Sequence, residues 1–587
     1  MNMDMSSGLP WLDHPITLHS SRKDTCKLTP AQCAYRSGYW RYWYQADHVY
    51  ALGTIYFVCA AIGIFAIGHI IDRLLSTSLS KRPVWRKTVA LLRYGSYKAF
   101  RIASLSWWSP SLGIILLGLI GVVFFSVMTL GPKPYYWPNT KKLSYGNSPP
   151  IATRTGWMAV ALLPFSLAIA SKVNLVTIIT GVSHEKLQVF HRWISWAMFV
   201  LALIHTFPFV VFHIWKGDMT AQYKISVVYW TGVAALIPQT WLTFMSIGPI
   251  RNRFYELFKV THYLASLLFI LFFFFHCDFR LTSWDYFIAT GALYIPCLLY
   301  SAFRTYFVGG CANLATLTML PNGTLRVDID TKMKWGPGQH FFVRFLTLHL
   351  HALTSHPFSA CSLPSSDTKG RPEPLVLYIQ PNSGLTARLA CLAQKQLSKP
   401  IRVFLDGPYG GLNVSKLSSY DKILIIAGGS GAGSTLSVIE DLLRRKSSSS
   451  PTHFQSIRVI LATRDSEIPS WYTGSVQQLL SSHLKSSGSD KAAGKQEILD
   501  STEKIASPDT VESDSIGEVS VYSTGRPDLS ALIRSLTTED SRSVGISACG
   551  PESMTFDVRN AAAAAESRIL EGKEGSRDVY LHTEVFS

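Results

Sequence analysis

The sequence predicts a multi-span α-helical membrane domain followed by a two-part soluble module, a small antiparallel β-barrel and an open parallel α/β sheet. Three observations predict it. Seven apolar stretches long enough to cross a bilayer occur at about 50–71, 110–130, 156–173, 189–212, 227–247, 258–277 and 284–303. After Arg304 the apolar segments shorten to strand length and are broken by Gly, Pro and Asp. Over 587 residues the composition joins 48% hydrophobic to only 16% charged residues, the mixture expected of a membrane domain fused to a soluble one.

Before the first span, residues 1–49 contain no apolar run that reads as a cleavable signal, so they are expected to form an external segment. Cys26 and Cys33 lie there and can pair if that end faces an oxidising space; the nine cysteines as a whole show no CxxC or zinc spacing. Residues 50–303 form the membrane domain. Its third stretch is the weakest, interrupted by Pro164 and ending in Lys172. The net charge of +17 does not read as a nucleic-acid surface, because basic residues crowd the short loops beside apolar runs. Arg73, Lys81, Arg82, Arg86, Lys87, Arg93, Lys98 and Arg101 follow the first span, and Arg251, Arg253 and Lys259 precede the sixth. The loop after the fourth has only Lys216 and Lys224, while the 131–155 loop, with Lys133, Lys141, Lys142 and Arg154, fits less cleanly. On balance the amino terminus is outside and the long carboxyl-terminal region cytosolic.

Two spans carry the chemistry. His191 and His205 lie on one, His262 and His276 on another, each pair fourteen residues apart. Fourteen steps of about 100° return to nearly the same helix face, roughly 21 Å further along. The two spans run parallel, separated by one return span, so His191 is matched with His262 near the cytosol and His205 with His276 toward the outer leaflet. Ionisable side chains in a bilayer are costly and usually functional. Neutral imidazole is a good iron ligand, and two stacked pairs are how a membrane protein holds two b-type haems. A lone histidine in an apolar helix is more often a satisfied interior group, and His184 and His213 are read that way, as interfacial residues.

In the soluble part, Phe341–Leu346, Leu375–Gln380 and Ile401–Leu405 suggest the barrel, and Lys422–Ala427 and Arg458–Ala462 alternate with helices as in a parallel sheet. Residues 483–520, rich in Ser, Lys, Asp and Glu, read as a disordered insertion in a surface loop. Gly428-Gly429-Ser430-Gly431-Ala432-Gly433-Ser434 lies between a strand and a helix, where glycines let the backbone approach a pyrophosphate and the helix start supplies amide donors. Cys549-Gly550-Pro551 ends a later strand, where a small soft side chain can sit beside a nicotinamide. Arg464, just past another strand, can meet a ribose 2′-phosphate. His356-Pro357-Phe358-Ser359 by itself reads as a turn, though its serine can hydrogen-bond a flavin ring.

The order of these pieces, together with Gly336-Pro337-Gly338-Gln339-His340, Gly384-Leu385-Thr386, Gly407-Pro408-Tyr409-Gly410 and Glu584-Val585-Phe586, resembles the fungal ferric/cupric-chelate reductases of the ferric reductase and NADPH oxidase superfamily. The resemblance runs from about residue 150 to the end. It implies a haem-binding helical core, an FAD-binding β-barrel over 304–415 and an NADPH-binding α/β domain over 416–587, the last two like ferredoxin reductases. It implies that His356 to Ser359 contact the flavin and Gly384 to Thr386 its pyrophosphate. Gly428 to Ser434 with Cys549 to Pro551 would bind NADPH, and Phe586 would cover the flavin ring. The implied activity is electron transfer from cytosolic NADPH through FAD and two haem b groups to external ferric or cupric chelates or siderophores, at the plasma membrane. The nearest rival is an oxidase that reduces dioxygen to superoxide. A seven-span receptor or transporter leaves the soluble region without a role.

Overall fold

The computed structural model describes residues 29–30, 33, 42–79, 82–102, 104, 107–136, 149–310, 313–347, 354–364, 374–382, 384–395, 400–447, 453–463, 468–484, 495–499, 517–522, 527–538 and 542–585. The chain divides into two units, Met1–Leu74 with Gly118–Tyr300 and Leu75–Leu117 with Ser301–Ser587.

The longer helices of the first half, with the short α6 that precedes α7, are α1 (Leu52–Leu79), α2 (Pro83–Tyr97), α3 (Leu112–Leu130), α4 (Pro150–Ala170), α5 (His184–Lys216), α6 (Met219–Ile225), α7 (Val227–Met245), α8 (Tyr255–Cys277) and α9 (Ser283–Phe303). Among the described residues six spans are long and apolar enough to cross a bilayer, and α6 with α7, bent by 88°, makes a candidate seventh. Each of the seven predicted apolar stretches falls on one of these helices.

The third span is α4, which begins six residues earlier than expected, at Pro150, and ends before Lys172. Its weak hydropathy has a packing cause: 72% of its apolar window is buried inside the protein, against 6% for Leu112–Leu130. A helix wrapped by other helices does not need an apolar side chain on every face to satisfy lipid. Met158, Leu162 and Leu163 of α4 meet Met198 and Leu201 of α5, Ala235 of α7 and Phe269 of α8 in one core. Helix α5 runs 33 residues and stops at Gly217, whose φ of +74° lets its N–H reach the carbonyls of His213 and Ile214.

The soluble unit has two six-stranded sheets. Strands β1 (Asn313–Met319), β2 (Leu325–Asp330), β3 (Gln339–Phe345), β4 (His356–Ser359), β5 (Leu375–Ile379) and β6 (Ile401–Gly410) form an antiparallel sheet in the order β4-β3-β6-β1-β2-β5. Alternating buried residues such as Leu325, Val327 and Ile329 put one face into a core. His356-Pro357-Phe358-Ser359 is a strand paired with β3, correcting the expected turn; its proline is tolerated because β4 is the edge strand.

The second sheet is parallel: β7 (Lys422–Gly428), β8 (Ser456–Ala462), β9 (Lys495–Leu499), β10 (Gly517–Tyr522), β11 (Val544–Gly550) and β12 (Val579–Val585), ordered β9-β10-β8-β7-β11-β12. Helices α11 (Ala432–Ser447), α12 (Ile468–Leu484), α13 (Leu529–Thr538) and α14 (Glu552–Glu571) alternate with its strands, and α10 (Leu385–Lys395) packs into the core of the antiparallel sheet. The expected disordered insertion at 483–520 is corrected in part. Lys495–Leu499 and Gly517–Tyr522 are strands, since the sheet edge at β8 offers ladder partners to segments with little apolar signal of their own. The remainder of that stretch, from residue 485, lies outside the described residues.

Helix α2 also belongs to this unit. Arg93 donates to Asp578 Oδ1, to the Val579 carbonyl at 3.1 Å and to the Tyr420 hydroxyl at 3.1 Å, with Glu566 Oε1 at 3.6 Å. The Leu581 N–H donates to the Tyr97 hydroxyl at 3.1 Å.

Candidate functional site

In the membrane unit, the α4–α5 and α7–α8 pairs present the four histidines in related ways. His205 Nδ1 lies 2.7 Å from the Ala152 carbonyl, and His276 Nδ1 lies 2.7 Å from the Val228 carbonyl. A carbonyl can only accept, so each Nδ1 carries the proton and Nε2 keeps its lone pair. The two rings stand 5.7 Å apart between centroids at 82°. His191 Nδ1 likewise meets the Ser166 carbonyl at 2.9 Å, whereas His262 Nδ1 has the Ser246 hydroxyl at 3.5 Å. Trp196 and Phe199 of α5 and Phe244 of α7 pack edge to face.

His184 sits at the start of α5 beside Gln188, away from both pairs. His213 is buried, and its Nδ1 lies 2.7 Å from Asp218 Oδ1, a hydrogen bond at the end of α5 that ties down the following turn. Cys33 is disulfide-bonded, and Cys26 lies outside the described residues.

In the soluble unit the glycine turn and the Cys-Gly-Pro segment come together at the carboxyl ends of neighbouring strands. Ala427 of β7 is in register with Cys549 of β11. The chain leaves β7 toward β8 on one side and returns to β11 on the other, so this is where strand order reverses and where open parallel sheets bind ligands. Gly429, at φ +51°, turns the chain through Ser430 and Gly431 into α11, which begins at Ala432. A Cβ on Gly431 would fall 3.0 Å from both the carbonyl and the sulfur of Cys549, so a side chain there would push turn and strand apart by a few tenths of an ångström. Ser434 is buried behind the turn, donating to the Gly431 carbonyl at 2.7 Å and to Cys549 Sγ at 2.9 Å. Burial pushes the Cys549 thiol well above the usual range, the Ser434 bond offsetting only part of this. Gly433 backs onto Cys361 and Tyr378 of the antiparallel half, and Gly550 leads into Pro551, the residue before α14.

In the antiparallel half, β4 pairs with β3, setting Ser359 opposite His340 and His356 opposite Val343. His356 Nε2 is 3.2 Å from Thr354 Oγ1. Gly384, at φ +59°, opens α10, with Leu385 buried and the Thr386 hydroxyl accepting the Asn382 N–H at 3.1 Å. The two halves are joined by contacts that sequence reasoning missed. The Glu440 carboxylate accepts the Leu363 N–H at 3.2 Å, Ser437 Oγ accepts the Gly338 N–H at 3.2 Å, and Tyr378 stacks on Trp471 at 4.5 Å. Arg464 and Phe586 lie outside the described residues.

Residues 155–273 match the family described as the ferric reductase like transmembrane component, 311–413 an FAD-binding domain, and 420–563 the ferric reductase NAD binding domain. The chain belongs to the ferric reductase superfamily. Within that superfamily it is 32% identical over 418 residues to a probable cell surface ferric reductase of Aspergillus oryzae, covering 68% of this chain and 54% of the relative. It is 27% identical over 368 residues to ferric/cupric reductase transmembrane component 7 of Saccharomyces cerevisiae, covering 61% and 57%. A ferric/cupric reductase transmembrane component of Candida albicans is 25% identical over 470 residues, covering 76% and 58%. The chain thus spans just over half the length of these relatives. As a superfamily member it is a multi-pass membrane protein with FAD- and NAD(P)H-binding domains.

Proposed function

We propose that this chain carries electrons across a membrane, from cytosolic NADPH through FAD and two b-type haems to ferric or cupric chelates on the opposite face. The observation that carries the reading is the presence, in one chain, of two histidine pairs on α5 and α8 together with the FAD- and NAD-binding domains.

The residues present fit haem. A b-type haem would need imidazole nitrogens from the protein to hold its iron. Two imidazoles at one level, each with Nδ1–H tied to a carbonyl, are that donor set. Among the described residues no three His, Cys, Asp or Glu side chains gather to hold a bare metal ion. When bound, the nicotinamide supplies a hydride, the flavin divides it into single electrons and the haem irons carry these one at a time.

The chain's own groups bind and orient. His191 and His262 hold one iron near the cytosol, His205 and His276 the other toward the outside. Gly428 to Ser434 and the first turn of α11 receive the NADPH pyrophosphate, Arg464 its 2′-phosphate, and Cys549 to Pro551 the nicotinamide end. His356 to Ser359 contact the flavin ring, Gly384 to Thr386 its pyrophosphate, and Phe586 covers the ring. The Cys33 disulfide and the basic loops support an external amino terminus, with the carboxyl-terminal part cytosolic. The plasma membrane is the proposed location, in keeping with the Aspergillus relative's description as a cell surface reductase.

Intact cells producing the protein and supplied with an impermeant ferric chelate should reduce it with superoxide dismutase present. Full suppression by the dismutase would show that superoxide is the product and overturn the metal reading.

A further inference from the structure

The outer histidines are received by two copies of one device, on helices far apart in sequence. On α4 the receiving residues are Ala152, Thr155 and Gly156; on α7 they are Val228, Thr231 and Gly232. In each copy the first residue's carbonyl takes the imidazole Nδ1–H at 2.7 Å. The threonine, three residues on, donates its hydroxyl to the preceding carbonyl (Ile151 at 2.9 Å, Val227 at 2.6 Å) and more weakly to the receiving one, at 3.2 Å from Ala152 and 3.3 Å from Val228. The glycine, one turn from the receiving residue, lies directly under the ring. A Cβ on Gly156 would fall 2.5 Å from His205 Nδ1, and one on Gly232 would fall 2.7 Å from His276 Nδ1. Real Cβ atoms do not come so close, and here the clashing atom is the very nitrogen that makes the carbonyl bond.

The inner pair is built differently. His191 has a carbonyl at 2.9 Å and His262 only a hydroxyl at 3.5 Å, and no described glycine has a Cβ position within contact of either ring. The matched seats are therefore not a generic consequence of packing a histidine between membrane helices.

We infer that Gly156 and Gly232 are positioning residues for the outer histidine pair. Each admits an imidazole onto its helix so that a main-chain carbonyl fixes the tautomer and aims Nε2 at a shared iron. Thr155 and Thr231 moderate the strength of that carbonyl as an acceptor. This rests on the proposed ligation of a haem by His205 and His276. A stronger Nδ1–H bond makes the imidazole a more basic ligand, which favours the ferric state and lowers the midpoint potential.

The test uses the full-length protein purified in detergent, reading haem per chain, low-spin electron paramagnetic resonance and midpoint potentials by spectroelectrochemistry. His205→Ala identifies the outer component as the one it removes. Gly156→Ala and Gly232→Ala are each expected to lose that component or raise its potential, leaving the inner one in place. Gly118→Ala, whose Cβ would fall 2.4 Å from the Trp193 ring on the same helix as His205, serves as the packing control and should keep both components unchanged. Thr155→Val and Thr231→Val, nearly equal in volume, should shift the outer potential the other way, downward. They decide the question if the alanine variants do not reach the membrane. Unchanged haem content, resonance and potentials in the glycine variants, or unchanged potentials in the valine variants, would overturn the proposal while leaving haem ligation standing. A wild-type protein without bis-histidine b-type haem would instead overturn the functional reading beneath it.

Discussion

At the scale of single residues, Cys549 shows how environment decides what a side chain can do. Its thiol is buried, accepts a hydroxyl from Ser434 at 2.9 Å and is held above the usual pKa range by burial. It is therefore a soft neutral surface and not a nucleophile, since only the thiolate reacts readily. In a mass-spectrometric time course at pH 7–8, Cys549 should be alkylated far more slowly than the exposed Cys391. Comparable rates would contradict this account. Ser434→Ala should cost about 1 kcal/mol, the usual value of one net hydrogen bond, in thermal unfolding of the purified protein. The serine's place was not readable from the glycine pattern. Its partner lies 115 positions along the chain, and only the pairing of β7 with β11 brings the two together.

At the scale of elements, α2 illustrates what periodicity leaves open. It reads as a basic loop between spans, yet it packs on α14 and β12 through Arg93 and Tyr97. Glu566, facing Arg93, is buried, and burial pushes its carboxyl up to about 8, the guanidinium offsetting part of that rise. The folded state thus holds a proton that an unfolded glutamate near pH 4.5 has released. Its contribution to stability is complete below that lower value and is lost as pH rises through about 8. Thermal unfolding of the soluble unit within the full chain should become easier between about pH 5 and 8, and Glu566→Gln should flatten that slope. An unchanged slope in the glutamine variant would assign the effect to other groups. The same scale separates the readable spans from the misread strands. Spans advertise themselves because every lipid-facing position must be apolar. Lys495–Leu499 and Gly517–Tyr522 are held by main-chain ladders to neighbours, which leave little trace in composition.

At the scale of the whole molecule, the proposal is directional. Reconstituted in liposomes with the nucleotide domain outward, the protein should reduce a trapped ferric chelate when NADPH is added outside. A potential negative on the NADPH side should speed it, with about 2.3 kcal/mol per 100 mV available for a full crossing. Indifference to that potential would mean the electron does not cross the field. Dialysis that strips FAD should abolish reduction, and FAD added back should restore it; activity that survives without flavin would reject the proposed route.

What the sequence by itself determined is the set of features that local covalent geometry enforces. A fourteen-residue interval on a helix puts two histidines on one face whatever surrounds them, and a glycine-rich turn between strand and helix is readable for the same reason. What only the tertiary structure decided is which surfaces receive those groups. His205 meets Ala152 across 53 residues and His276 meets Val228 across 48, and the Thr155-Gly156 and Thr231-Gly232 dipeptides acquire meaning only when α5 lies on α4 and α8 on α7. A threonine beside a glycine is unremarkable along a chain. It becomes a seat because a neighbouring helix brings an imidazole to within bonding distance of a carbonyl, leaving no room for a methyl group.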